Sequence, residues 1–139
     1  MLFNQNMKNT INSIRIHAEL IMYGDEFLEI SNTDGVVFDW LSLCEGGSIA
    51  SKGSRSYPNV EFRKIVDCLI SACDDFSRQE CEEANVGWEI QCTNQEDELV
   101  ASIDFGYWDK STIIKIIRGF HDIINDTVPL QSIIDTLEA

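Results

Sequence analysis

The sequence predicts an α+β fold: a single globular domain, 1–139, with a mainly antiparallel sheet built from two hairpins and three to four helices packed on one face. Three observations predict it. Segments 58–78 and 110–125 repeat apolar residues at spacings of three and four. Segments 86–92 and 98–108 alternate apolar with polar residues instead. The chain has 139 residues, 44% of them hydrophobic, which suits one core and is short for two domains.

Residues 3–22 satisfy two periods. Phe3, Met7, Ile11, Ile14, Ala18, Ile21 and Met22 make one helical stripe, and Gly24 stands where a helix stops. Ile14, Ile16, Ala18, Leu20 and Met22 also alternate with Arg15, His17 and Glu19, as in a strand. The helix is favoured, because the stripe outruns an ordinary strand. "EFLEIS" (26–31) and "VVFDWLSL" (36–43) flank "NTDG", whose residues suit a tight turn, and form the first hairpin.

"EGGSIASKGSRS" (45–56) is read as a mobile connector with a short edge strand at "SIAS", its Lys52 and Arg55 blunting stray pairing. A phosphate-binding loop would need lysine after the second glycine, and here Lys52 precedes Gly53. Pro58 then opens a helix to about Arg78 with Phe62, Ile65, Val66, Leu69, Ile70, Cys73 and Phe76 inward. "VGWEIQC" (86–92) and "ELVASIDFGYW" (98–108), joined by "TNQED", form the second hairpin. It carries Val86, Trp88, Ile90, Cys92, Leu99, Ala101, Ile103, Phe105 and Tyr107 inward. A helix over 110–125, capped by Asp109 or Ser111, and a short helix from Pro129 complete the chain.

Charge is the departure from the ordinary. Twenty-four acids against ten bases give −14, which disfavours direct binding to nucleic acid and favours basic protein surfaces. Between Gln79 and Asp109 there are nine acids and no base: Glu80, Glu82, Glu83, Glu89, Glu96, Asp97, Glu98, Asp104 and Asp109. With Trp108 as an exposed aromatic, these ten residues are the expected partner-binding site, because aromatic anchors with charged rims dominate interfaces.

Five cysteines, with no C-x-x-C pair, argue against a disulfide framework and a zinc site and for a reduced, cytoplasmic setting. The start has no basic or apolar leader, and no apolar run approaches a membrane span. "NTDG" and "NQEDE" fail the spacing of a calcium loop, and no local signature makes a nucleophile of a cysteine with His17 or His121. No cofactor, metal or catalytic role is expected.

A small, acidic, single domain with reduced cysteines resembles, in profile, the immunity proteins that neutralise bacterial toxins. That resemblance implies a stoichiometric inhibitor that occludes the basic active site of a nuclease-type toxin. The alternatives are a nucleic-acid mimic inhibiting a DNA-processing defence enzyme, and a small adaptor or enzyme without a visible motif.

Overall fold

Ser13–Leu20 (β1) forms backbone ladders on both sides, to Gly24–Asn32 (β2) and to Val86–Thr93 (β5). This geometry comes from the computed structural model, which describes residues 5–20, 24–74, 86–106 and 110–138. With Val36–Cys44 (β3), Ile49–Tyr57 (β4) and Leu99–Gly106 (β6), these strands make one antiparallel sheet ordered β4-β3-β2-β1-β5-β6. The described residues also include four α-helices: Gln5–Thr10 (α1), Phe62–Asp74 (α2), Lys110–Ile124 (α3) and Gln131–Glu138 (α4). A 3₁₀ turn, Val128–Leu130, precedes the last of them.

The helix expected over 3–22 is therefore corrected to a six-residue helix followed by β1. Ile14 and Ala18 fit both periods, so the local pattern does not choose between them. Position chooses. Residues 13–20 lie between β2 and β5, whose facing edges are left unpaired unless this segment is extended and ladders to both. Ile14, Ile16 and Ala18 are buried on one face of β1, while Arg15, His17 and Glu19 alternate onto the other.

The connector expected at 45–56 is corrected as well. Only 45–48 is turn; the rest belongs to β4, a nine-residue edge strand held by β3 alone. Every residue of β4 is exposed or half-buried, so no alternation marks it. Gly53 has a packing role: a Cβ there would stand 2.1 Å from Cζ2 of Trp40, whose ring covers it from β3. The sheet thus has six strands: β1 is added to the two hairpins, and the edge strand expected at "SIAS" runs on through Tyr57 as β4.

Smaller boundaries also move. Pro58 lies in a turn and α2 begins at Phe62; the expected end of that helix, 75–78, lies outside the described residues. Ser111 sits inside α3 rather than capping it, and Asp109 lies outside the described residues. Leu99, expected inward, is 59% exposed, beside a register shift between Cys92 and Thr93.

Alternation on the strands and the stripes of α2 and α3 build one core. Its fully buried members include Ile14, Ile16, Leu28, Ile30, Phe38 and Ile90 from strands, and Ile65, Leu69, Ile113 and Phe120 from helices. Each such side chain contributes about 1.5–3 kcal/mol on leaving water. Phe38 meets Phe120 edge to face at 6.2 Å. Helices α2 and α3 touch closely at Gly119, where a Cβ would lie 2.2 Å from Cys68 Sγ.

Polar contacts pin the C-terminal elements to the sheet. Glu26 of β2, though buried, accepts hydrogen bonds at Oε1 from Ser42 and from Ser132 of α4, both at 2.8 Å. Burying a carboxylate is costly unless it is hydrogen-bonded, and these hydroxyls meet that requirement. Asn125 ends α3 in the left-handed region (φ 53), its N–H bonding to the His121 carbonyl. Next to it, Asp126 Oδ2 accepts bonds from Arg55 Nη1 and the Tyr57 hydroxyl of β4, each at 2.7 Å.

Candidate functional site

The side chains of β1, β2, β3 and β5 that alternate away from the core line a groove of about 440 Å³ running across five strands. Register arranges its walls in two rows. Gln91, Arg15, Glu29 and Asp39 are neighbours in one row, and Glu89, His17, Phe27, Leu41 and Lys52 in the other. The groove thus has an aliphatic and aromatic centre flanked by mixed charge.

Several of these groups hold one another. The His17 ring stacks on Phe27 with centroids 4.4 Å apart and planes 4° from parallel. His17 Nε2 lies 2.8 Å from Asp25 Oδ1, which orients the imidazole. Phe27 remains 37% exposed, a large apolar ring presented to solvent on a rigid strand. Gln91 Nε2 donates to Glu89 Oε1 at 2.6 Å, and Arg15 Nε lies 3.4 Å from Glu29 Oε2.

The turn between β5 and β6 adjoins one end of this face. Asn94 Oδ1 accepts the backbone N–H groups of Glu96 and Glu98, at 3.0 and 2.9 Å. Asp97 adopts φ 59, a conformation that its short polar side chain tolerates. These constraints present Glu96, Asp97 and Glu98 to solvent as three successive acids. Asp97 Oδ1 also accepts a hydrogen bond from Arg15 Nη2 at 3.3 Å, joining the turn to the groove across 82 positions of sequence.

Of the expected site residues, the structure brings together Glu89, in the groove, with Glu96, Asp97 and Glu98 at the adjoining turn. The backbone of Asp104 pairs with Glu89 in β6; its side chain lies outside what the structure describes. Glu80, Glu82, Glu83, Trp108 and Asp109 lie outside the described residues. Sequence reasoning missed Arg15, His17, Phe27, Glu29, Asp39 and Lys52. The strand alternation of Arg15 and His17 carries the signal, which the overlapping helical stripe through Ile11, Ile14 and Ala18 obscures.

The described thiols are poor nucleophiles where they are buried. Burial pushes Cys92 up to about 12, and burial, with Asp122 nearby, pushes Cys68 up to about 11. A thiol must ionise to attack or to bind metal. Among the described residues no three His, Cys, Asp or Glu side chains cluster to hold a metal ion. No described helix is long and apolar enough to cross a membrane. Comparisons with protein-family models, curated proteins and solved structures find no match.

Proposed function

We propose that the protein is a stoichiometric inhibitor of the immunity-protein kind, a single cytoplasmic domain that neutralises a basic, nuclease-type bacterial toxin by covering its active site. It is a binding protein and not an enzyme. In this reading the helices are laid against one face of the sheet, and the other face, with the β5–β6 turn, meets the toxin. Glu89, Glu96 and Glu98 supply charge where the chain is described. Glu80, Glu82, Glu83, Asp104, Asp109 and Trp108 are assigned to the same interface from the sequence alone.

The observation that supports it most is the junction at Arg15. That side chain links an acidic turn to a groove with an exposed aromatic at its centre. A charged rim beside an apolar centre is the anatomy of a protein interface. The rim speeds encounter with an oppositely charged partner to about 10⁸ M⁻¹s⁻¹ at low salt, and the centre slows release.

Capture from lysate of the source organism, at low and high salt beside a charge-matched control, supplies the partner. One basic protein retained in stoichiometric amount is the expected result. The Glu96→Lys/Glu98→Lys double variant should then associate about tenfold more slowly at low salt, with dissociation little changed. Phe27→Ala should cost at least about 2 kcal/mol of affinity, mostly in dissociation. Unchanged affinity in both variants removes this face from the interface. Recovery of a DNA-processing complex instead of a toxin identifies the nucleic-acid mimic.

A further inference from the structure

A second recess lies between α3 and α4, apart from the groove and the acidic turn. Ile114, Ile117, Arg118 and His121 follow at spacings of three, one and three, so they form one stripe on α3. This stripe lies beside the one that enters the core through Ile113, Ile116, Phe120 and Ile124. Ile134 and Leu137, three apart on α4, face it across a cleft of about 280 Å³. Ile117 and Leu137 are buried at its base, and Ile114 and Ile134 are half-buried on its walls.

The corner between the two helices is held from outside the cleft. Asn125 turns the chain through its left-handed conformation. Asp126 accepts the N–H of Val128 at 3.0 Å while fixed to Arg55 and Tyr57 of β4. The cleft is therefore a formed feature of the fold, anchored to the sheet.

Its rim is cationic in a chain of net charge −14. Arg118 is exposed and makes no ion pair among the described residues; His121 has Asp122 at 3.9 Å from Nδ1. A cleft of about 280 Å³ has room for several methylene groups in a row. Four aliphatic side chains below and a guanidinium at the mouth complement a short apolar tail with an anionic head, since arginine binds carboxylate with paired hydrogen bonds.

We propose that the α3–α4 cleft is a binding site for a medium-chain aliphatic carboxylate, its tail among Ile114, Ile117, Ile134 and Leu137 and its head on Arg118, with His121 beside it. Octanoate, used below its micelle concentration, is the probe. In methyl-labelled full-length protein it should shift the Ile114, Ile117, Ile134 and Leu137 resonances saturably and leave Ile14 and Ile30 of the sheet core unmoved. Arg118→Gln, at an exposed position, should weaken binding about tenfold without changing the melting temperature. Octanol should bind correspondingly less well than octanoate. Ile134→Trp should fill the cleft and abolish the shifts.

Absence of a saturable shift in the unmodified protein overturns the proposal. So does equal affinity for octanol and octanoate, or an Arg118→Gln variant that binds as tightly. The Glu96→Lys/Glu98→Lys variant should bind octanoate normally, which keeps this site's test separate from that of the sheet face.

Discussion

The two edges of the sheet are chemically opposite. Residues 46–60, which include β4, contain Lys52 and Arg55 and no acid; residues 79–109, which include β5 and β6, contain nine acids and no base. Sheet order puts β4 outermost on one side and β6 on the other, so Lys52 and Arg55 lie far from the described acids of the β5–β6 turn, Glu96, Asp97 and Glu98. Six strands at about 4.8 Å spacing set the edges roughly 24 Å apart. The screening length at physiological salt is only about 8 Å. A basic partner approaching the acidic edge is thus barely repelled by the cations of the other. Segregating charge along the chain becomes, through the strand order, segregation in space.

The sharpest way to break this comparison is at β4. Gly53→Val places branched carbons against the Trp40 ring and should destabilise the protein by about 2 kcal/mol, lowering Tm by about 8 °C. Gly53 and Trp40 also line the groove, so the variant should speed partner dissociation, while the association rate set by the acidic turn survives below the new Tm. A parallel fall in the association rate would show the two edges coupled.

Asp126→Asn comes next, because it loosens the clamp that ties β4 to the α3–α4 corner. The Tyr57 hydroxyl, the Val128 N–H and Arg55 hold the Asp126 carboxyl down to about 2, against an ordinary 3.8. A carboxyl lowered on folding stabilises the protein fully above its unfolded value, and that stabilisation is lost as pH falls from about 4 through 2. The variant should lose about 1–2 kcal/mol at neutral pH and show a flatter acid limb in denaturant titrations. An unchanged acid limb would remove Asp126 from the clamp.

The smallest expected effect is at the tie between β1 and the β5–β6 turn. Arg15→Ala removes pairs to Glu29 and Asp97, all three side chains being substantially exposed, and should cost less than about 1 kcal/mol. Faster amide exchange in the 94–98 turn, with little change in Tm, would sharpen the view of Arg15 as a local tie. A cost above 2 kcal/mol would make it a structural support instead.

Legibility in the sequence follows the same division. α2, α3 and the central part of β5 announce themselves, because each buries one face and the burial period is written into Ile65, Leu69, Ile113, Phe120, Trp88 and Ile90. β4 buries neither face, so nothing in "IASKGSRSY" alternates; its conformation is imposed by pairing with β3. β1 is hidden for the opposite reason, since Ile14 and Ala18 satisfy both periods and only the flanking ladders decide. The acidic turn was visible as composition. Its bond to Arg15 and the stacking of His17 on Phe27 were not, because they depend on register between strands distant in sequence.

The ring of Trp40 lying over Gly53 turns the β4 edge into an optical reporter. Trp88 is 4% exposed, so its emission should be blue-shifted and poorly quenched by iodide. Trp40 is half-buried, and its partner strand has no neighbour on its outer side. In a Trp108→Phe background, fraying of β4 should therefore red-shift the emission and open it to quencher. A ligand confined to the acidic edge should leave that signal still, so a single cuvette distinguishes which side of the molecule has been engaged.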